Sequence, residues 1–180
     1  MDRAEMPNRS HPHRLAAEAY REPGLAVAIT LSARGGLVLS HDAPARVLVE
    51  SLGEIGHRRG IRIHAYCIMP EHVHIICSVG DDGDLAKWVR YLKRESARLL
   101  GVPGLWQRSY WDRTLWNWDQ ITLAAEYLMA NPIRRGLVRS WQEWPYSWSR
   151  WVLGCRGQDP NVYEDRACPV PPQPTGNQRS

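Results

Sequence analysis

The chain has 180 residues, 43% of them hydrophobic, which is typical of one soluble globular domain and excludes a disordered protein. Its formal net charge is +4, with a pI near 9.0, and this favours an anionic partner such as nucleic acid. No apolar run approaches the ~20 residues that span a bilayer. The sequence therefore predicts a cytoplasmic protein with no membrane partner. Four cysteines without a CxxC spacing exclude a zinc knuckle and a disulfide framework.

Composition divides the chain into three predicted parts. Residues 1–22 are polar and precede a Pro-Gly turn, so we expect a mobile leader. Residues 23–150 contain the regular hydrophobic patterns and are expected to form one domain. Residues 151–180 become rich in proline and poor in apolar side chains, so we expect a disordered tail.

Hydrophobic periodicity predicts four strands and three helices within the domain. The predicted strands cover residues 25–31, 61–69, 72–79 and 104–116, and the second is expected to have one buried face. The predicted helices cover residues 44–60, 85–100 and 119–131.

Residues that favour helix ends set the predicted helix boundaries. Asp42, Asp84 and Asp119 are the expected N-caps. Pro132 is expected to end the last helix near residue 131, because a residue before proline avoids helical geometry. Trp118 and Leu123 are expected to pack together as a hydrophobic staple around the start of that helix.

Two histidines, His72 and His74, stand one residue apart at the start of the third predicted strand. Side chains at i and i+2 of a strand leave the same face, about 7 Å apart at the backbone, so two imidazoles can converge on one metal ion. Val73 and Ile75 then point into the core. An alternating strand with two surface histidines is the plainer alternative. His64, on the neighbouring strand, is either a further ligand or a strand histidine with satisfied hydrogen bonds.

Tyr127 and Asn131 lie four residues apart on the last predicted helix and therefore share one face. Two imidazoles and an amide oxygen suit a divalent ion that also holds phosphate oxygens, Mg²⁺ or Mn²⁺. A tyrosine nucleophile leaves well because its phenol has a pKa near 10, so a phosphotyrosine link keeps the energy needed to rejoin a strand. The plainer interpretation of Tyr127 is a half-buried helix tyrosine. The competing tyrosines lack a ligand-type residue one helical turn further on: Tyr66, Tyr91 and Tyr110.

Basic side chains gather on the second predicted helix and the fourth predicted strand. An arginine recurs every four residues along this helix, which forms a stripe on one of its faces. Phosphate contact and simple solvation explain the stripe equally well. The candidate DNA-contacting residues are Arg90, Lys93, Arg94, Arg98, Arg108 and Arg113.

Three motifs in this order resemble those of the REP-associated tyrosine transposases. They are AYCIMPEHVHII at 65–76, LWQRSYWD at 105–112 and YLMANPIRRGLV at 127–138. That family contains single-tyrosine members of the HUH nuclease superfamily, relatives of the small insertion-sequence transposases. The resemblance covers roughly residues 22 to 150, and neither the leader nor the tail maps onto it.

The resemblance implies a fold, a site and a substrate. The expected fold is α+β and ferredoxin-like, βαββαβα, with an antiparallel sheet backed by two helices and the active site on its other face. By position, His72, His74 and Asn131 match the family's metal ligands and Tyr127 its nucleophile. The expected partner is single-stranded DNA with hairpin-forming palindromic repeats, cleaved to leave a 5′-phosphotyrosine and a free 3′-hydroxyl. No cofactor beyond the metal is expected, and a monomer is favoured over a homodimer.

The sequence leaves three functional hypotheses. The main one is a metal-dependent endonuclease and strand transferase. The second is a DNA- or RNA-binding protein that keeps the fold without cutting, and the third is a structural metal domain, for which two histidines and an asparagine are a weak ligand set. The sequence does not identify the hairpin, the physiological metal, or a mobile-element as opposed to a housekeeping role.

Overall fold

The computed structural model describes residues 18–152 and 156–161. Its elements are β1 Ala26–Ser32, α1 Asp42–Arg58, β2 Ile61–Ile68, β3 His72–Val79, α2 Leu85–Leu99, β4 Trp111–Leu115, α3 Trp118–Arg134 and β5 Ser147–Ser149. The strands form one antiparallel sheet in the order β4-β1-β3-β2-β5. The predicted ferredoxin-like α+β architecture is confirmed, and β5 adds an edge strand to it.

Each face of the sheet carries its own hydrophobic core. Helices α1 and α2 pack on one face, where Trp88 and Leu52 are almost completely buried. Helix α3 packs on the other face, mainly over β2 and β3, and buries Leu128 and Met129 against Ile76. The two helices predicted behind the sheet are therefore present, and α3 leaves the histidine face only partly covered.

The register of the sheet places one residue from every strand in a row on the α3 face. Trp111 pairs with Thr30, Thr30 with His74, His74 with Cys67, and Cys67 with Ser147. Because directly opposed residues of antiparallel strands share a face, all five side chains point to the α3 side. This row connects the histidine pair to both edges of the sheet.

The prediction of one buried face on the second strand was wrong. Nearly every residue of β2 is buried, because β2 lies inside the sheet between β3 and β5 and helices cover both of its faces. Cys67 on β2 and Cys77 on β3 are buried free thiols. Cys155 and Cys168 lie outside the described residues.

The fourth strand is shorter than predicted. Only Trp111–Leu115 joins the sheet, together with a single bridge between Trp106 and Ala33. The Lys93 ammonium explains part of this difference. It donates hydrogen bonds to the carbonyl oxygens of Gln107 and Ser109, at 2.8 and 2.9 Å. Carbonyl oxygens that accept from a side chain compete less well for the hydrogen bonds of a strand ladder.

Two of the three predicted N-caps are wrong. Asp84 caps α2 as expected, accepting a hydrogen bond from the Lys87 backbone N–H. The cap of α3 is Asn117 in place of Asp119, and Leu123 is exposed, so no staple forms. Where two residues that favour the N-cap position stand close together, their identity alone does not decide which of them caps the helix.

Asp42 lies within the first turn of α1, and the N-cap position is held by His41 without a side-chain hydrogen bond. The Asp42 carboxylate instead accepts a hydrogen bond from the Tyr146 hydroxyl at 2.9 Å. A partner distant in the chain has therefore taken the expected capping group.

Parts of the predicted leader and tail pack against the domain. Tyr20 is buried, and its hydroxyl donates to the Asp112 carboxylate at 2.5 Å. At the other end, Asn161 pairs with the backbone of Ile63: its Nδ2 donates to the carbonyl at 2.8 Å and its Oδ1 accepts from the N–H at 3.2 Å. None of the helices within 18–152 is long and apolar enough to cross a membrane.

Candidate active site

His72 and His74 lie side by side on the α3 face, at the end of β3 where the strand begins. Their Nε2 atoms are 3.0 Å apart. Two nitrogen ligands that stand at a right angle about 2.1 Å from one ion are also separated by about 3.0 Å. The pair therefore has the spacing of two adjacent ligands of an octahedral ion.

Burial favours the neutral form of both imidazoles, because it lowers their pKa. Burial lowers the pKa of His74 to about 3, with a further contribution from His72 beside it. Burial also lowers the pKa of His72, opposed by the Glu71 carboxylate. Neutral imidazole is the form that binds metal ions.

The opposite ring nitrogens have polar partners that orient the rings. Thr30 Oγ1 lies 2.9 Å from Nδ1 of His74, and a Glu71 carboxylate oxygen lies 3.5 Å from Nδ1 of His72. A proton on each Nδ1 satisfies these partners and leaves both Nε2 lone pairs facing each other. Two such lone pairs at 3.0 Å repel unless a proton or a cation lies between them.

Asn131 is an unusual polar residue of α3 because it is nine-tenths buried and directly precedes a proline inside the helix. Its Nδ2 donates to the carbonyl oxygens of Tyr127 at 3.0 Å and Leu128 at 3.3 Å. The Leu128 carbonyl would ordinarily bond to the backbone N–H of residue 132, which Pro132 lacks. The asparagine amide replaces that donor.

The prediction that α3 ends near Asn131 was therefore wrong. The helix passes through Pro132 to Arg134, because the Asn131 side chain satisfies the carbonyl that the proline leaves free. The same hydrogen bonds leave Asn131 Oδ1 with no protein donor among the described residues. A free amide oxygen on a buried residue is a suitable metal ligand.

Tyr127 is half exposed on α3, one helical turn before Asn131. The Arg134 guanidinium lies over its ring, with 4.6 Å between the guanidinium carbon and the ring centre. This places a positive charge beside an accessible phenol, where an approaching phosphate would meet both groups.

The histidines and the α3 residues are joined through Glu71. Arg135, directly after the end of α3, forms an ion pair with the Glu71 carboxylate, which also contacts His72. Within the described residues, no hydrogen bond or ring contact joins the histidines to Tyr127 or Asn131. The structure thus brings His72 and His74 together, and holds Tyr127 and Asn131 on the helix whose end is anchored beside them.

The donor set fits a divalent ion of the magnesium type better than a structural zinc ion. No cluster of three or more His, Cys, Asp or Glu side chains that could hold an ion occurs in residues 18–152 and 156–161. Two imidazoles and an amide oxygen leave the remaining positions of an octahedral ion to water or substrate oxygens.

Several known proteins are similar to this chain. The family model described as "Transposase IS200 like" matches residues 36–121. A REP-associated tyrosine transposase of Escherichia coli K12 is 27% identical over 104 residues, 57% of this chain and 62% of its own length. A protein of Haemophilus influenzae is 28% identical over 98 residues, 46% of this chain and 56% of its own. The chain is therefore similar to the REP-associated tyrosine transposases over part of its length.

A solved structure has a fold similar to that of this chain. The structure of a REP-associated tyrosine transposase bound to a REP hairpin aligns with a TM-score of 0.65 and 23% identity, covering 71% of this chain and 78% of that one. The match in each curated relative spans less than two thirds of the relative's length. The resemblance derived from the three motifs is confirmed.

Four of the six candidate DNA-contacting residues line one open groove of about 640 Å³. Lys93, Arg94, Arg98 and Arg108 line it, together with Trp106, whereas Arg90 and Arg113 do not. Arg94 and Arg98 both form ion pairs with Glu95, and Lys93 holds the neighbouring loop.

The groove rim approaches the histidine pair across the sheet. The Gln107 N–H donates to the Ser32 carbonyl at 2.9 Å, and Ser32 pairs with His72 in the next strand. Two interstrand spacings of about 4.8 Å therefore separate the rim from His72. Arg113 points to the opposite face of the sheet, the one that carries the histidines.

His64 is a strand histidine with satisfied hydrogen bonds. Its Nε2 pairs with the Ser78 hydroxyl at 2.8 Å, and Arg150 donates to its Nδ1 at 3.3 Å. Burial, reinforced by the charges of Arg150 and Arg62, lowers the pKa of His64 to about 3. Its side-chain partner Ser78 lies in the far half of β3, away from His72.

Sequence reasoning missed four residues that contact the site or its row: Thr30, Glu71, Trp111 and Arg135. Glu71 directly precedes the histidine motif, and a carboxylate there is a signal for a partner of a metal-binding imidazole. Thr30 and Trp111 gave no comparable signal, because only the strand register places them beside His74.

Proposed function

We propose that this protein is a metal-dependent endonuclease and strand transferase that acts on single-stranded hairpin DNA through a 5′-phosphotyrosine intermediate at Tyr127. The observation that supports the proposal most is the pair of neutral imidazoles with Nε2 atoms 3.0 Å apart, in a relative of the REP-associated tyrosine transposases. The solved neighbour bound to a REP hairpin supports a hairpin substrate.

His72, His74 and Asn131 would hold a divalent ion, Mg²⁺ or Mn²⁺. When bound, such an ion would polarise the scissile phosphodiester and stabilise the charge that develops on its oxygens. The Thr30 and Glu71 contacts would keep the two rings aimed at the ion.

Tyr127 would supply the attacking oxygen. Its phenolic oxygen forms a bond to phosphorus while the bond from phosphorus to the 3′-oxygen breaks. The phenol loses its proton and the leaving 3′-oxygen gains one, so one phosphodiester replaces another and no outside energy source is needed. Arg134 would hold the phosphate beside the phenol.

The strand is rejoined by the reverse reaction. A free 3′-hydroxyl attacks the phosphotyrosine, and the tyrosine leaves with its phenolic oxygen reprotonated. If the incoming 3′-hydroxyl belongs to another strand, the product is a strand transfer.

The test is a denaturing-gel assay for a covalent protein–DNA adduct. The probe is a labelled hairpin oligonucleotide with single-stranded arms, taken from the DNA that flanks the protein's own gene, with Mg²⁺, Mn²⁺ or chelator. We expect a metal-dependent adduct that Tyr127→Phe abolishes while hairpin binding persists. Tyr110→Phe is the matched control and should leave the adduct unchanged.

Two outcomes would contradict the proposal. An adduct that persists in Tyr127→Phe would place the nucleophile elsewhere, and metal-dependent cutting that survives His72→Ala would remove the ligand assignment. Tight hairpin binding with no adduct under any metal would favour the non-cutting binding protein.

A further inference from the structure

Helix α3 leaves part of the histidine face of the sheet exposed at β4. The helix starts after β4 ends at Leu115 and finishes beside Glu71, so it runs across the face towards β2 and β3. The open part, which we call the β1–β4 shelf, consists of residues from β1 and β4 outside the cluster that α3 buries: Thr30, Trp111 and Arg113.

The shelf adjoins the histidine pair directly. Trp111 pairs with Thr30, which pairs with His74, and the hydrogen bond of 2.9 Å between Thr30 and His74 shows that these side chains share the face. Two interstrand spacings of about 4.8 Å place the Trp111 backbone about 10 Å from that of His74. A ligand held at the histidines would thus extend over the shelf.

Trp111 is the aromatic group of this shelf. It is 44% exposed, although it occupies a strand beside a well-packed core. No ring contact or side-chain hydrogen bond to Trp111 is found in the described part of the chain. Its indole therefore presents an unused flat surface.

Arg113 supplies the charge of the shelf. It lies two residues after Trp111 on the same face, opposite Ala28, and it is exposed. A flat ring beside a guanidinium matches a nucleotide, because the ring stacks on the base and the guanidinium binds the phosphate.

We propose that the β1–β4 shelf binds the single-stranded DNA next to the cleaved phosphate, with one base stacked on Trp111 and a backbone phosphate bound by Arg113. This inference rests on the proposed function and adds a nucleotide-binding surface to it. The stacking is independent of base identity, since every base has a π face.

The experiment measures DNA affinity by fluorescence anisotropy in chelator, so that no cleavage occurs. The probe is the hairpin oligonucleotide described above, and a set of variants carries one abasic site at each arm position in turn. We expect one arm position at which loss of the base weakens binding by the wild-type protein on the order of tenfold.

Trp111→Leu keeps an apolar side chain, although a smaller one, and removes the π surface, so it should weaken binding of the intact probe to a similar degree. At the sensitive position, this variant should no longer distinguish the abasic probe from the intact one. Trp111→Phe should retain part of the discrimination. Trp116→Ala removes another exposed tryptophan, at the far end of β4, and should behave as wild type.

Two results would overturn the inference. One is unchanged DNA affinity in Trp111→Leu, and the other is a base-loss effect that is equally large in wild type and variant. A thermal midpoint lowered in Trp111→Leu with DNA binding intact would assign the indole to packing. The adduct assay separates this failure from failure of the proposed function, because wild-type protein would still form the Tyr127 adduct.

Discussion

Replacing Pro132 with alanine should stabilise the protein. In the wild type, proline removes one backbone N–H from α3, and the Asn131 amide serves the Leu128 carbonyl in its place. In Pro132→Ala the backbone N–H of residue 132 can donate a hydrogen bond to the Leu128 carbonyl, which completes the hydrogen bonding of the helix.

The expected gain follows from three opposing contributions. Proline inside a helix costs about 3 kcal/mol relative to alanine. The Asn131 hydrogen bond already recovers about 1 kcal/mol, and proline restricts the unfolded chain by up to about 1 kcal/mol. Alanine should therefore raise the free energy of unfolding by about 1 kcal/mol, which corresponds to about 3 °C in Tm for a domain of this size.

The same change should weaken metal binding. The Asn131 amide no longer has to serve the Leu128 carbonyl, so its Oδ1 is less firmly directed towards an ion. We expect a loss in Mn²⁺ affinity on the order of tenfold, measured by electron paramagnetic resonance titration of free Mn²⁺. His72→Ala in the same titration establishes that the signal reports the proposed site.

Thermal unfolding followed by circular dichroism measures the stability change. Pro103→Ala is the matched control, since Pro103 lies in an exposed turn and its loss should lower the stability slightly. A double-mutant cycle with Asn131→Ala should show a coupling of about 1 kcal/mol, because the asparagine donor matters only while the proline is present. Additive effects, or a lower Tm in Pro132→Ala, would refute this account of Asn131.

Three further predictions concern Glu71, His64 and the groove. Glu71→Gln should weaken Mn²⁺ binding on the order of tenfold while changing stability by less than about 1 kcal/mol, because exposed ion pairs contribute little; equal affinity in calorimetry would exclude Glu71 from orienting His72. The folded protein keeps His64 neutral down to about pH 3, whereas the unfolded chain protonates it below about 6.5, so stability is retained above pH 6.5 and lost as the pH falls. His64→Gln should reduce that acid slope by about 1.4 kcal/mol per pH unit in urea unfolding, and an unchanged slope would assign the loss to other groups. The double variant Arg94→Ala, Arg98→Ala should bind the hairpin more weakly, and its affinity should depend less on salt concentration. An unchanged salt titration would show that neither residue contacts the DNA.

The local pattern of the sequence was enough to predict the three helices, the first three strands and the histidine pair. Strand β3 begins and ends where the alternation predicts, and α2 starts after its predicted Asp84 cap. These elements follow from the period of apolar residues, which is a property of neighbouring positions. The pairing of His72 with His74 follows from the same period.

The errors arose where a hydrogen bond from a side chain to the backbone decides the local structure, which the pattern of apolar residues does not show. Lys93 on α2 holds the carbonyls of the loop before β4, and the Asn131 side chain lets α3 continue through a proline. No local pattern indicates that Trp111 lies in the same row as His74, because strand order and register depend on the whole sheet. The ion pair between Glu71 and Arg135 joins residues far apart in the chain for the same reason.

The contact between Asn161 and Ile63 has a consequence for how the chain can be shortened. The amide of Asn161 offers one donor and one acceptor to the backbone of Ile63, as a neighbouring strand would. It thereby continues the short edge strand β5 and closes β2, whose polar backbone groups would otherwise be available to another molecule. A chain cut after residue 150 would keep every residue of the proposed site and yet expose this edge, so we expect it to self-associate in proportion to its concentration.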